Sequence, residues 1–227
     1  MSGFMYDAPM DYVRPIEAVV PGVQGRVLGV LARTDAEQTM RTVAGLAGVS
    51  VQQASVVLAH LVELGVVTRR DVGSAALVQL ERDNEAARVI VALAGLAASL
   101  FTRLRAEARR VKPAPASLMV FGSFVRGEAG TDSDLDVLAV RPTGTAADDD
   151  RWTDTLGRWQ DKARRMVGNP VSLLELSSEE LDHPRASRGS VWQAIATEGV
   201  VLVGARIIVQ GRGLALADAE SLTQAVS

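Results

Sequence analysis

Cysteine is absent from the 227 residues, which excludes disulfides and thiolate metal sites. Histidine is nearly absent as well: His60 and His183 stand far apart, so a zinc centre is not expected. A long apolar run is missing too. The longest, Val89 to Phe101, follows Arg88 and is soon closed by Arg103, short of the ~20 residues a bilayer span needs, so it is expected to be a buried helix and no membrane association is expected. The N-terminal MSGFMYDAPMDYVRP has no basic flank leading into an apolar stretch. It therefore lacks the pattern of a signal peptide, and with the lack of cysteine this fits a cytoplasmic protein. An excess of positive charge is also lacking. The net charge is −3, with 13 basic and 11 acidic residues before position 113 and 11 and 16 from there on. The second half is thus a poor nucleic-acid surface, and any such affinity in the first half must come from a local patch.

With 48% hydrophobic composition the chain can bury large cores, and its character changes near residue 112, which predicts two domains. The expected division is a flexible N-terminus over 1–16, a helical and ribbon domain over 17–84, a connecting helix over 85–112, a second domain over 113–207 and a tail over 208–227. The connecting segment, 85 to about 110, carries Ile90, Leu93, Ala97, Leu100 and Leu104 on one side. Its apolar excess suits a dimer contact, and Val111-Lys112-Pro113-Ala114-Pro115 breaks it.

In the first half a short apolar segment covers 24–31, and Thr34 and Asp35 offer capping oxygens for a helix over 36–46. Ser50 offers another for a helix over 51–64 that Gly65 ends. On that third helix Ala54, Val57, Leu58, Leu61 and Leu64 form a buried stripe at spacings of three and four, leaving Gln52, Gln53 and Ser55 off it. A two-stranded ribbon then follows, 66–71 and 75–80, around a Gly-Ser turn at 73 and 74. The stretch TMRTVAGLAGVSVQQASVVLAHLVELGVVTRRDVGSAALVQL, residues 39 to 80, resembles the winged helix-turn-helix of bacterial transcription regulators. That resemblance implies double-stranded DNA as partner, with Gln52, Gln53 and Ser55 toward the major groove, Arg69 and Arg70 in the wing against phosphate or the minor groove, and a homodimer. Each glutamine is equally at home as a solvated residue of an amphipathic helix. His60, beside the stripe, reads as a packed or half-exposed residue.

The second half opens with Leu118 to Phe121, a short buried strand leading into Gly122-Ser123. Glycine there admits close backbone approach to a ligand, and Ser123 with the helix-compatible Phe124-Val125-Arg126 suits phosphate. Residues 134–140 read as the next strand, in which Asp134 and Asp136 share one face while Leu135 and Val137 point to the core. Two adjacent carboxylates repel unless a cation sits between them, and magnesium bridging them to nucleotide phosphates is the natural occupant. Further on, Asp148-Asp149-Asp150 suits the positive end of a helix over 151–166, and Lys162, Arg164 and Arg165 suit its C-terminal end. Trp152, Trp159 and Trp192 read as core or domain-contact residues.

The apolar residue, Gly122, Ser123, Arg126, Gly127 and, after a spacer, Asp134-Leu135-Asp136-Val137 resemble the signature of the DNA polymerase beta-like nucleotidyltransferases, the small bacterial ones in particular. VWQAIATEGVVLVG, 191 to 204, resembles their helix and terminal strand, so the resemblance covers about 116–205. It implies an α/β (α+β) domain, a mixed sheet flanked by helices. It also implies a nucleoside triphosphate held through Mg2+ by Asp134 and Asp136, Gly122, Ser123 and Arg126 on the nucleotide, and transfer to a hydroxyl aided by a third carboxylate. On the matching strand, 171–176, that position falls on Ser172. Glu175 faces the other way in a regular strand and fills the role only if the strand is bulged or the register shifted. Three activities follow as expectations: a DNA-binding regulator with a transferring domain, a regulator that senses nucleotide without transfer, or an antitoxin-like nucleotidyltransferase.

Overall fold

The computed structural model describes residues 9–73, 75–181, 189–210 and 213–217. Ser74 of the ribbon turn, His183 and the end of the tail lie outside these. The chain divides into two compact units, Val13–Leu96 and a second made of the segment before Val13 with everything from Ala97 on. The helical stripe of 85–104 is therefore shared between two cores, and Gly95 separates its two helices.

In the N-terminal unit, α1 (Pro15–Val19), α2 (Val23–Ala32), β1 (Gln38–Thr39), α3 (Met40–Ala47), α4 (Val51–Glu63), β2 (Val67–Val72), β3 (Ala75–Leu80) and α5 (Glu85–Ala94) follow in order. The strands form an antiparallel sheet in the order β1-β3-β2. Ser50 caps α4 with a full capping box: its Oγ accepts the Gln53 N–H, and Gln53 Oε1 accepts the Ser50 N–H. Ala54, Leu58 and Leu61 are buried as their spacing requires, but Leu64, at the helix end, is exposed. The cap of α3 is Thr39 and not Thr34 or Asp35. Gln38 and Thr39 pair with Val78 and Leu77, so the helix cannot start before the Thr39 side chain accepts the Thr42 N–H.

The C-terminal unit contains α6 (Leu96–Ala108), β4 (Ser117–Phe121), α7 (Ser123–Arg126), β5 (Leu135–Val140), α8 (Asp150–Val167), β6 (Val171–Leu176), α9 (Ser178–Leu181), α10 (Gly189–Glu198), β7 (Val200–Gly204), β8 (Arg206–Gln210) and β9 (Gly213–Ala217). Its main sheet has the order β6-β5-β4-β7, mixed because β5 and β6 are parallel and the other pairs antiparallel. The strands are apolar on both faces because both are covered. Leu118, Val120, Leu135, Val137 and Ala139 join Trp152, Leu156 and Trp159 of α8, while Met119, Leu138, Val140 and Leu176 join Trp192 and Ile195 of α10. Asp149 caps α8 by accepting the Trp152 N–H at 2.8 Å, which accounts for the acidic run before it. β8 and β9 pair antiparallel, and they carry regular structure into the stretch from 208 on that is expected to be a tail.

The segment before Val13, expected to be flexible, is anchored from Met10 on. Met10 N–H donates to Asn169 Oδ1 and Tyr12 N–H to the Ala129 carbonyl. Among the described residues no single helix is long and apolar enough to cross a membrane.

Candidate active site

Three strand ends bring the site together. β4 delivers Gly122 and Ser123, β5 delivers Asp136 with Asp134 just before it, and β6 delivers Ser172. Phe121 pairs with Asp136 across β4 and β5, and Asp136 with Ser172 across β5 and β6. Register partners share a face, so the Asp136 carboxylate and the Ser172 hydroxyl stand side by side. Asp134, two residues earlier, accepts the Ser172 hydroxyl on Oδ2 at 2.9 Å.

Gly122 is required where it stands. Its φ of 78° lies in the region L side chains rarely adopt, and a Cβ there would meet Asp136 Oδ2 at 2.5 Å. The glycine thus lets the backbone of the turn close onto a carboxylate. Asp136 is half-buried and its pKa is raised above the usual carboxylate range, first by desolvation and then by the charge of Asp134; Arg126 opposes both. Two carboxylates in this state are a conflict that a cation relieves.

The donor set fits one divalent ion of the magnesium type, which takes one or two carboxylates and fills its remaining positions with water and phosphate oxygens. Among the described residues no group of three or more His, Cys, Asp or Glu side chains forms a metal cluster, so the set is short for a two-ion site.

Glu175 does not supply the third carboxylate in this geometry. The β5–β6 register runs without a bulge, placing Glu175 opposite Ala139 on the α8 face. There its Oε1 accepts the Trp152 indole N–H at 2.9 Å and the Arg141 guanidinium at 2.8 Å. Trp152 is 0% exposed, and its buried N–H needs such an acceptor. Arg126, expected on the nucleotide, donates to Glu128 at 2.7 Å and to Glu198 at 2.8 Å, and these bonds raise its pKa. It lies close enough to act on Asp136, yet a phosphate would have to compete with two carboxylates.

A residue that sequence reading did not single out holds the loop leading into the site. Asn169 is 1% exposed, and its Nδ2 donates to the carbonyls of Gly130 and Ser133 at 3.2 and 3.0 Å, within the loop that ends at Asp134. The Asn-Pro pair before a strand was the one local hint, and it says nothing of distant carbonyls.

In the N-terminal unit Gln52 and Gln53 are exposed at the start of α4 and Ser55 is half-exposed. The Gln53 carbonyl oxygen is already engaged by the capping box. Arg69 donates to Asp71 at 3.1 and 3.0 Å, and Arg70 makes a two-pronged pair with Glu37.

Residues 102–189 match the family described as the nucleotidyltransferase domain. The match spans less than half of the chain and contains Gly122, Ser123, Asp134, Asp136 and Ser172. No curated protein matches the chain. Among solved structures, one described as a toxin–antitoxin with AMP-PNP is 17% identical with a TM-score of 0.33, covering 46% of this chain and 73% of the other. A mutant of the MntA-HpeT toxin–antitoxin is 14% identical with a TM-score of 0.34, covering 56% of this chain and 81% of the other.

Proposed function

We propose that the C-terminal unit binds a magnesium–nucleoside triphosphate complex and transfers the nucleotide to a hydroxyl of a protein or small molecule. The observation that carries this reading is the meeting of Gly122, Asp134, Asp136 and Ser172 at adjoining strand ends, inside the segment that matches the nucleotidyltransferase domain. Asp134 and Asp136 would hold the cation, which supplies neutralisation of phosphate charge. Gly122 gives the phosphates access to the backbone, and Ser123 adds a hydroxyl beside it. In the transfer the acceptor oxygen bonds to the α-phosphorus, the bond from that phosphorus to the bridging oxygen breaks, and pyrophosphate leaves. Asp134 is the more exposed of the two carboxylates, and the acceptor's proton passes to solvent water as its oxygen bonds to phosphorus. With serine at 172, the site relies on positioning and charge more than on acid–base chemistry.

The N-terminal unit, in this reading, is a winged helix that binds double-stranded DNA and makes the protein a transcription regulator, acting as a homodimer in the cytoplasm. The order of three helices and a three-stranded sheet supports it, as do exposed Gln52 at the start of α4 and an arginine pair on the hairpin.

A second reading, an antitoxin-like nucleotidyltransferase that modifies a protein partner, draws support from the charge of that unit. Residues 13–96 hold eight arginines, no lysine and eight acidic residues. Both hairpin arginines are paired, and α4 exposes Val51 and Val56 beside its glutamines. A neutral, partly apolar surface suits a protein better than a polyanion.

Labelled ATP, GTP, CTP and UTP, each with Mg2+ and with cell lysate or the protein itself as acceptor, test the first statement. Transfer that disappears in the Asp134→Asn, Asp136→Asn double variant supports it. Label uptake that is identical in wild type and double variant would refute it. Fragment-library DNA binding against co-purification of a protein partner separates the two readings of the N-terminal unit.

A further inference from the structure

We propose that Tyr12 and Asn169 are positioning residues for Asp134, with the segment around Met10 to Tyr12 acting as a strap across the loop that leads into it. The proposal rests on the magnesium–nucleotide reading of the site and adds to it the elements that hold the first carboxylate in place.

Asp134 lies outside β5, so the strand ladder does not fix it. The residues ahead of it, 127–133, form the loop that separates the Gly-Ser turn from the aspartates. Within that loop Ser133 N–H donates to the Gly130 carbonyl at 3.2 Å and Gly130 N–H to Ser133 Oγ at 3.1 Å. Such a small ring closes on itself but has no inherent orientation. Asn169 supplies one by donating to both carbonyls, while the carbonyl of the next residue, Pro170, accepts the Leu135 N–H at 2.8 Å. Positions 133 and 135 are thereby tied from the same short segment, and Asp134 is held between them.

Tyr12 ties the other side. Its N–H donates to the Ala129 carbonyl at 2.8 Å, its hydroxyl donates to the Val167 carbonyl at 2.9 Å, and its ring lies 5.0 Å from that of Phe124, the residue after Ser123. Met10 N–H fills Asn169 Oδ1 at 3.1 Å, so the amide is engaged on both of its ends. One short segment thus touches the ring that follows Ser123, the Ala129 carbonyl inside the 127–133 loop and the amide that ties the end of that loop. Buried, fully engaged amides of this kind specify one arrangement, because any other leaves a polar group without a partner.

Two full-length variants test the assignment. Tyr12→Ala removes the ring and the hydroxyl, and Asn169→Asp replaces the Nδ2 donor with an acceptor facing two carbonyls. Tyr12→Phe is the conservative control that keeps the ring. Hydrogen exchange on the ligand-free protein should speed at Gly130, Ser133 and Leu135 by about tenfold in Tyr12→Ala, which loses the ring packed against Phe124 together with the hydroxyl's bond, with Val137 to Ala139 unchanged. Binding of Mn2+ alone, read by the magnetic resonance signal of the free ion, should weaken by about tenfold. The control, which loses the hydroxyl's bond to the Val167 carbonyl but keeps the ring, should fall between wild type and Tyr12→Ala in both measurements. Unchanged exchange in a folded Tyr12→Ala, or faster exchange with unchanged Mn2+ affinity, overturns the positioning role. If Asn169→Asp does not fold, Tyr12→Ala decides. Wild-type protein that binds neither Mn2+ nor nucleotide would sink the reading of the site itself, and the exchange result then settles whether the strap orders the loop.

Discussion

Ser172 donates its hydroxyl to Asp134 Oδ2 at 2.9 Å while its backbone position pairs with Asp136. One uncharged side chain thus sits at the point where the two carboxylates of the site converge. A carboxylate in its place would bring three negative charges together. Ser172→Asp is therefore expected to destabilise the metal-free protein and to raise its affinity for Mn2+ by about tenfold, checked by thermal melts with and without the ion. A variant with unchanged melting and unchanged Mn2+ affinity would mean that residue 172 does not face the ion.

Burial of Asp136, with Asp134 beside it, gives stability a definite pH dependence. The folded-state pKa of Asp136 is raised above its unfolded value, mainly by desolvation. Its contribution to stability is thus present at pH below the ordinary carboxylate range and is lost as pH rises through the raised value. Asp136→Asn removes that loss. The metal-free variant should melt higher than wild type at neutral pH, and the gap should close as pH falls below the ordinary carboxylate range. Saturating Mg2+ should narrow it from the other side by stabilising wild type. A gap that does not vary with pH would place the cause elsewhere.

Gly122 gives a separate test of how closely turn and carboxylate approach. Alanine there combines an unfavourable φ of 78° with a Cβ 2.5 Å from Asp136 Oδ2. Gly122→Ala should cost about 1–3 kcal/mol in denaturant unfolding and should abolish nucleotide binding. Nucleotide affinity equal to wild type would show that the turn can open without loss.

Glu175 is assigned a structural role by its partners, and its removal should separate stability from binding. Glu175→Ala leaves the Trp152 indole N–H without its acceptor and the largely buried Arg141 guanidinium with Glu180, at 3.5 Å, as its remaining carboxylate partner. A loss of about 1–3 kcal/mol in unfolding free energy is expected, with Mn2+ and nucleotide affinities unchanged in the folded variant. Weakened Mn2+ binding at retained fold would return Glu175 to the site.

These outcomes also mark what the sequence made legible. Gly122, Asp134 and Asp136 could be read because a glycine turn and a period-two strand are local patterns. The side on which Glu175 falls followed from the same parity, since it stands three positions on from Ser172. The capping box of Ser50 and Gln53 is local as well. Thr39 as a cap, by contrast, depends on pairing with Leu77, nearly forty residues away. Asn169 and Tyr12 were invisible for the same reason: their partners are backbone carbonyls and amides of remote loops, which leave no residue signature. The break at Gly95 was hidden by a stripe that continues in phase although its two parts serve different cores.

The hairpin arginines offer the sharpest test of the N-terminal unit. Arg70 is held by Glu37 at the surface, and that pairing raises the pKa of the arginine and lowers that of the glutamate. A phosphate must displace Glu37 before Arg70 can contribute, so in wild type part of the gain from each such contact is offset. Glu37→Gln removes the competing charge. If the unit binds duplex DNA through its hairpin, this variant should bind more tightly at low salt, and the slope of log affinity against log salt should steepen by about one. Arg70→Ala should reverse that change when added to Glu37→Gln. Gln52→Ala should lower affinity for a preferred site by about 1–3 kcal/mol without altering the salt slope, because an amide reads base edges and not phosphate. Fluorescence anisotropy across a salt series measures all three. A slope near zero for every variant would show that the paired arginines are structural, and would leave the exposed Val51 and Val56 of α4 to a protein partner.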